Sequence, residues 1–244
     1  MKYLLKLTRI EARLFFREPL AWGVVLLLPT LLLLLLGALP ALRTPQETFG
    51  GERFIDLFAP SLAVISLATL GVNSLPQRLS SQRERGELRR LSTTPVHPGL
   101  LLAAQLAIHA LLAVAAVLLL ILAGNLAFAV PLPQNLPGFL AAFLLGLASI
   151  LSLGLLVGAA APGARAGQAL AMPLFFLLML LGGVYLPRFF LPDFLVQIGN
   201  YAPPGVQAML DTWKGAAPDP LQLGALGLIT LLASLGAARI FRWE

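Results

Sequence analysis

Hydrophobic residues in this chain are gathered into long stretches that contain no Asp, Glu, Lys or Arg. A helix needs about 20 mostly apolar residues to cross the hydrocarbon core of a bilayer. The uncharged region 91–164 holds two such stretches, which the proline-rich segment 130–138 separates. The stretches that are long enough to cross are 19–42, 57–77, 99–123, 138–160, 166–187 and 220–238. The pattern therefore predicts an all-α, polytopic membrane protein with six transmembrane helices.

The composition supports a location in the membrane. Of the 244 residues, 58% are hydrophobic and 11% are charged, whereas a soluble domain carries about a quarter charged residues. The net charge of +6 does not indicate nucleic-acid binding, because the cations lie between apolar stretches, where orientation and anionic lipid account for them. A signal peptide is the weaker interpretation of the N-terminus, because 19–42 is too long for an ordinary signal sequence and lacks a clear cleavage site.

The distribution of Lys and Arg predicts how the spans are oriented. With the N-terminus inside, thirteen of the 17 cations fall in cytoplasmic segments and four fall in external ones. Cytoplasmic loops of membrane proteins carry such an excess of Lys and Arg. We therefore expect both termini in the cytoplasm, and the excess of Arg over Lys suggests the plasma membrane of a bacterium.

The N-terminal segment 1–18 has the pattern of an amphipathic helix that lies in the membrane surface. Tyr3, Leu7, Ile10 and Leu14 recur at helical spacing and form one apolar face. Cations run beside this face, where they can contact lipid phosphates. The predicted membrane-surface cations are Lys2, Lys6, Arg9, Arg13 and Arg17.

The charged segment 81–92, between the second and third spans, has the signals of a short cytoplasmic helix. Ser81 and Glu84 have the spacing of a capping box, in which each side chain satisfies a free backbone N–H of the first turn. Pro95 disfavours helical geometry at the residue before it. We therefore expect this helix to end near Ser92.

The segment 188–218 is apolar, but prolines interrupt it. Pro192, Pro203 and Pro204 exclude a single full crossing. A pair of half-helices that dip back into the outer leaflet fits, provided that protein covers their free backbone groups. A loop that lies on the outer ends of the spans is the alternative. The two glycines at 182–183 permit close packing or a local break at the outer end of the fifth span.

No cluster of residues indicates enzymatic chemistry. The chain has no cysteine, and the spans lack the buried charge that ion-coupled transporters usually carry. His109 is alone on an apolar helix, which favours a hydrogen-bonded packing role over a proton relay. There is no phosphate-binding loop, so we expect this chain to bind no ATP, no other cofactor and no metal. Gly154 and Gly158 let two helices approach closely, either within the chain or at a subunit interface.

Three motifs resemble the type-2 membrane permeases of ABC exporters, notably the drug- and antibiotic-resistance branch. Arg-Glu-Pro at 17–19 resembles the end of the family's elbow helix. ERGELRRL at 84–91 with the Thr-Pro that follows resembles the family's coupling-helix loop, although Glu87 and Arg89 stand where the family often has Thr and Glu. GGVYLP at 182–187, with the later Leu-Pro and Asn-Tyr-Ala-Pro, resembles the end of the fifth span and its external re-entrant hairpin.

The resemblance implies a single permease domain over 1–244 that works with other chains. The implied partners are two copies of a cytoplasmic P-loop ATPase that binds ATP and Mg, a second permease subunit that is identical or a paralogue, and membrane lipid. The implied ATPase contacts are Arg83, Glu84, Arg85, Gly86, Glu87, Leu88, Arg89, Arg90, Leu91, Thr94 and Pro95. The implied external gate residues are Gly182, Gly183, Pro187, Pro192 and Pro203.

The resemblance also implies a function without enzymatic activity in this chain. It implies export of a hydrophobic or amphipathic substrate, drug-like or lipid-like, across the plasma membrane. The alternatives are a polysaccharide-exporting member of the same family and a membrane assembly or anchoring subunit without transport. The apolar spans favour a drug or a lipid over a polysaccharide.

Overall fold

The computed structural model describes residues 8–9, 11–13, 17, 19–49, 51–92, 98–186 and 188–241, and no strand occurs among them. The α-helices are α1 (Pro19–Ala38), α2 (Pro40–Arg43), α3 (Phe54–Ala68), α4 (Leu75–Glu84), α5 (Glu87–Ser92), α6 (Pro98–Phe128), α7 (Leu136–Ala160), α8 (Ala164–Leu181), α9 (Asp193–Tyr201), α10 (Val206–Trp213) and α11 (Pro220–Ile240). Residues 8–9 and 11–13 are also helical, and the remaining helical segments among the described residues are the 3-10 turns Glu47–Phe49 and Arg188–Phe190 and the π-helix Thr69–Ser74.

Within the described residues, five helices are long and apolar enough to cross a membrane, and they match five of the predicted spans. They are Phe54–Glu84, Gly99–Phe128, Leu136–Ala160, Ala164–Leu181 and Pro220–Ile240. The first predicted span forms α1, of 20 residues, whose side chains are described from Gly23 onward. The all-helical, multi-pass architecture is therefore confirmed, and the six-span layout stays a prediction.

The second span extends furthest beyond its predicted bounds of 57–77. α3, the π-helix and α4 form one continuous helix, Phe54–Glu84, of 31 residues. We call it the long helix. Its last turns are polar, and they stay helical because Arg78 and Gln82 find polar partners inside the bundle. The long helix therefore joins the two ends of the bundle.

The glycine pair of α7 packs inside the chain. A Cβ atom at Gly154 would lie 1.7 Å from the carbonyl oxygen of Gly71 in the π-helix. A Cβ atom at Gly158 would lie 2.9 Å from a methyl carbon of Leu79. α7 and the long helix thus approach so closely that only glycine fits at 154. The interpretation of this motif as intramolecular packing is confirmed.

The segment 188–218 contains a hairpin of two short helices, α9 and α10, as the interpretation as paired helices expects. We call these two helices and their turn 202–205 the hairpin. Gly205 adopts a left-handed conformation in the turn, with φ of +79°. The turn packs on α7, where a Cβ atom at Gly146 would lie 2.0 Å from the carbonyl oxygen of Pro204. We call the end of the bundle beside the hairpin the hairpin end.

The prediction of one helix over 81–92 is wrong. Ser81 lies inside α4, which continues from the span without interruption, so no free N–H groups are present there for a capping box. Gly86 stops this helix with φ of +69°, a left-handed conformation that commonly ends helices at glycine. The second helix, α5, is described from Glu87 to Ser92, and its predicted end near Ser92 stays a prediction because residues 93–97 lie outside the described part of the chain. We call Gly86 the junction, and the end of the bundle that carries it the junction end.

Candidate functional site

Arg83, three residues before the junction, closes the C-terminal end of α7. Its guanidinium donates hydrogen bonds to the carbonyl oxygens of Gly158 at 3.2 Å, Ala159 at 3.5 Å, and Ala161. The last carbonyl groups of a helix have no partner inside the helix and carry partial negative charge. A cation with several donors satisfies these groups, so Arg83 fastens the long helix to the end of α7.

Glu84 closes the N-terminal end of α8. Its Oε2 accepts a hydrogen bond from the backbone N–H of Ala164, at 3.0 Å. The first N–H groups of a helix are unpaired and carry partial positive charge, which favours a carboxylate there. Arg83 and Glu84 therefore hold the two ends of the loop 161–163, which joins α7 to α8. We call this pair of side chains the charged bracket.

Beyond the charged bracket, the described side chains of 85–92 divide into exposed cations and a buried apolar residue. Arg85 and Arg90 are exposed, and Glu87 is half-buried. Leu88 is fully buried within the chain, so it holds α5 on the bundle instead of projecting toward a partner. Among the described side chains of 85–92, those that are exposed are thus cations.

Other predicted site residues are described only in part. Arg9 and Arg13 are exposed on a helical stretch near the N-terminus, and Arg17 is exposed in a turn. For Arg89 and Leu91, the structure describes the helical backbone of α5 alone. The predicted residues outside the described part of the chain are Lys2, Lys6, Thr94, Pro95 and Pro187.

A buried polar network enters the junction end from the N-terminal segment. The carboxylate of Glu11, a residue 5% exposed, pairs with Arg78 at 2.8 Å and accepts a hydrogen bond from Gln82 at 3.1 Å. Gln105 of α6 donates to the side-chain oxygen of Gln82 at 2.6 Å. The sequence analysis missed Glu11, although an acid at helical spacing within the apolar face of 1–18 is a readable signal. This network ties the N-terminal segment to the long helix and to α6.

His109 continues the network deeper into the bundle. Its Nδ1 lies 2.8 Å from the carbonyl oxygen of Gln105, and its Nε2 lies 3.2 Å from the hydroxyl oxygen of Ser74. A carbonyl oxygen only accepts hydrogen bonds, so Nδ1 is the donor in the first contact. Both ring nitrogens of this buried residue have partners, as the packing interpretation expects.

A cavity of about 370 Å³ lies at the hairpin end, between the start of the long helix and the hairpin. Two rings of its apolar wall stack with their centroids 5.1 Å apart, and they belong to Phe54 and Phe58. The charged side chains that line it are Arg188, Asp211 and Lys214. The cavity therefore combines an apolar surface with charges of both signs.

Arg188 also holds the end of a helix. Its guanidinium donates to the carbonyl oxygens of Leu181 at 3.5 Å and Val196 at 3.4 Å, and to the side-chain oxygen of Asn200. Burial lowers the pKa of Arg188, and the nearby Asp211 opposes this shift. The residue stays charged, because arginine is not deprotonated in proteins. Arg188 therefore links the end of α8 to the hairpin.

The described gate candidates differ in their positions relative to this cavity and to the hairpin turn. Gly183 lines the cavity and ends the helical turn after α8 with φ of +74°. Gly182 is buried, and a Cβ atom there would lie 3.0 Å from Val64. Pro203 is buried in the hairpin turn, whereas Pro192 is exposed before α9. Close packing is therefore the role that the structure gives to Gly182 and Pro203.

These features define a class, a multi-pass helical membrane protein whose charged contacts gather at the two ends of the bundle. The family model described as ABC-2 family transporter protein matches residues 38–238. Because the match covers most of the chain, this chain belongs to the ABC-2 transporter family and is a transmembrane permease component of an ABC transporter. The resemblance drawn from the motifs is thus confirmed. A search of curated proteins and a search of solved structures each gave no match.

Proposed function

We propose that this chain is the permease subunit of an ATP-driven exporter of hydrophobic or amphipathic substrates. A separate cytoplasmic P-loop ATPase, present in two copies, binds ATP and Mg and drives transport. A second permease subunit, identical or a paralogue, completes the substrate path. The protein lies in a bacterial plasma membrane with both termini in the cytoplasm, so the junction end is inside and the hairpin end is outside.

The charged bracket is the observation that carries this proposal. α5 is attached to the long helix through two residues, Arg85 and Gly86, and Arg83 and Glu84 stand directly before them. These two side chains bind α7 and α8 at their ends. A partner that displaces α5 therefore moves the long helix, α7 and α8 together. This is the linkage that a coupling element of a transporter requires.

The energy for such a movement must come from the partner. A shift of a two-state equilibrium from 1:99 to 99:1 requires about 5.5 kcal/mol of differential interaction. Exposed ion pairs contribute about 0–1 kcal/mol each, which is too little. Nucleotide binding by an ATPase can supply the difference, and this chain has no phosphate-binding loop of its own.

In this proposal, residues 85–92 contact the ATPase, and the charged bracket transmits the movement to the spans. The double substitution Arg85→Gln and Arg90→Gln removes two exposed cations from the surface beyond the charged bracket. We expect about a fivefold loss in the amount of P-loop ATPase that co-purifies with the chain, because two surface ion pairs contribute about 1 kcal/mol together.

The matched control removes two other exposed arginines of the junction end, through Arg165→Gln and Arg239→Gln. This variant should keep the full amount of ATPase. Equal recovery of ATPase by both double variants would contradict the assignment of 85–92 as the contact.

The proposed orientation can be measured directly, because the chain has no cysteine. A single cysteine introduced by Arg85→Cys should react with a membrane-impermeant maleimide in inside-out vesicles and not in intact cells. A single cysteine introduced by Lys214→Cys should react in intact cells. The reverse pattern would place the hairpin end in the cytoplasm.

The apolar wall of the cavity at the hairpin end supports an amphipathic substrate. Inside-out vesicles that contain the chain and its ATPase should accumulate a lipophilic fluorescent dye when ATP is added. An anchoring subunit would bind the ATPase and give no ATP-dependent accumulation. A polysaccharide exporter would accumulate labelled oligosaccharide in place of the dye.

A further inference from the structure

The cavity at the hairpin end has charges of both signs that balance. Arg188 and Lys214 are cations, and Asp211 is an anion. Glu52 lies 3.0 Å from Lys214, so it supplies a second negative charge at the rim. With two positive and two negative groups, the site favours neither a simple anion nor a simple cation. It fits a ligand that carries both charges.

Arg188 has donors to offer to the anionic part of such a ligand. Its hydrogen bonds to Leu181, Val196 and Asn200 use three N–H groups. A guanidinium has five N–H groups in a fixed plane, and this geometry suits phosphate and carboxylate. The other two N–H groups of this cavity-lining side chain have no partner among the described residues.

Asp211 and the aromatic wall can receive the cationic part. Gln207 donates to Oδ1 of Asp211 at 2.7 Å and orients the carboxylate on α10, which leaves Oδ2 as an acceptor. Phe54 and Phe58 line the same cavity, and the face of an aromatic ring attracts an ammonium group. A carboxylate together with ring faces is suited to an ammonium or a quaternary amine.

We propose that this cavity binds a zwitterionic amphiphile of the phosphocholine or phosphoethanolamine type. The phosphate lies on Arg188 and Lys214, the ammonium lies against Asp211 and the phenyl rings, and the acyl chain follows the apolar wall that includes Leu57. The cavity of about 370 Å³ lies within the range of small-ligand sites, about 300–1,000 Å³. The inference goes beyond the proposed function, because such binding requires neither the ATPase nor transport.

Binding can be measured on the purified full-length chain in a detergent that carries no charge. The probe is a photoactivatable lysophosphatidylcholine, and the sites of labelling are mapped by mass spectrometry. We expect labelled peptides from the start of the long helix and from the hairpin. Unlabelled lysophosphatidylcholine should compete, whereas lysophosphatidylglycerol and dodecyltrimethylammonium, which each lack one of the two charges, should compete about tenfold less well.

Two variants test the residues. Asp211→Asn should lower labelling about tenfold, because a hydrogen bond to a charged group contributes about 1.5–3 kcal/mol. Asp193→Asn is the matched control, since Asp193 is an exposed acid of the same hairpin that does not line the cavity. Leu57→Trp should lower labelling by filling the cavity while both charges stay in place. Size-exclusion profiles check that each variant is folded.

Several results would overturn the proposal. Labelling outside the cavity would do so, and this readout needs no variant. Equal labelling of Asp211→Asn and Asp193→Asn, or equal competition by lysophosphatidylglycerol, would exclude a role for the ammonium. Equal competition by free phosphocholine would exclude the acyl chain and identify a water-soluble zwitterion as the ligand. None of these results would affect the assignment of the junction end.

Discussion

The two ends of the bundle use the same kind of contact with different results. At the junction end, Arg83 closes the end of α7, and its neighbour Glu84 closes the start of α8. At the hairpin end, Arg188 closes the end of α8, but Asp211 acts on it without an ion pair between them. Both charges of the charged bracket are used in holding helices, whereas the hairpin end keeps charges beside open space. We propose that the first arrangement transmits a displacement and that the second takes a ligand.

A third arginine, at the hairpin end, also holds the end of a helix. Arg53 donates to the carbonyl oxygens of Phe128 and Ala129, both at 3.0 Å, and pairs with Asp56 at 2.6 Å. It therefore closes the C-terminal end of α6. Arginines that lie between spans, and that an orientation rule treats only as positive charges, satisfy the free carbonyl groups of neighbouring helices in this protein.

The largest loss of stability is expected at the close contact between α7 and the long helix. Gly154→Ala would place a Cβ atom 1.7 Å from the carbonyl oxygen of Gly71, and the long helix would have to move. Overpacking of this kind costs about 3 kcal/mol in the free energy of unfolding. Gly227→Ala is the control, because a Cβ atom at Gly227 meets nothing within 4 Å. It should leave stability unchanged or raise it by up to about 1 kcal/mol. Thermal unfolding in detergent measures both, and equal melting temperatures would contradict the close contact.

An intermediate loss of stability is expected for the two arginines that hold helix ends, one at the junction end and one at the hairpin end. Arg83→Gln and Arg188→Gln each shorten and neutralise a side chain that holds the end of a helix. Each should lower the free energy of unfolding by about 1–2 kcal/mol, because the hydrogen bonds are charged but partly exposed to solvent. For a lipophilic dye that carries no anionic group, and so makes no use of Arg188 in the cavity, only Arg83→Gln should reduce ATP-driven transport while the ATPase stays bound.

Transport and ATPase binding, measured on the same vesicles, decide between the two arginines. A similar loss of transport in Arg188→Gln with normal ATPase binding would show that the ends do not differ in coupling. The junction end would then have no special part in coupling.

The smallest effect is expected at the rim of the cavity. Lys214 and Glu52 are paired at 3.0 Å, but their side chains are 52% and 45% exposed. Lys214→Gln should therefore change the free energy of unfolding by less than about 0.5 kcal/mol. Chemical denaturation measures this change. A loss above 1 kcal/mol would mean that the rim holds the hairpin as firmly as Arg188 does.

Hydropathy predicted the spans well because crossing a membrane is a constraint on single stretches of sequence. Most helix bounds lie within a few residues of the predictions. The larger differences are that polar residues continue the long helix to Glu84, that α6 extends to Phe128, and that α8 ends at Leu181 instead of residue 187. The end of α5 that Pro95 predicts stays a prediction, because the residues after Ser92 lie outside the described part of the chain. The glycine pair at 154 and 158 indicated close packing, although the sequence left the partner helix open.

The predictions that were wrong or missing depend on contacts between residues that lie far apart in the chain. Ser81 and Glu84 match a capping box by spacing, but a helix that arrives from the membrane has no N-terminus at Ser81. The partners of Glu84 and Arg83 lie about 80 residues away along the chain, so no sequence pattern could name them. Gly86 was the readable signal, since glycine commonly marks a helix end.

The π-helix in the middle of the long helix has a geometric consequence for the charged bracket. A π-turn accommodates an extra residue in a helix, and each residue of an α-helix turns the chain by about 100°. Thr69–Ser74 therefore sets the rotational phase of every side chain that follows it. With one residue fewer in that segment, Arg83 and Glu84 would leave the long helix in another direction and miss the loop 161–163. The direction in which the side chains of the charged bracket point is thus set inside the bundle, by a segment several turns before the residues that form the bracket.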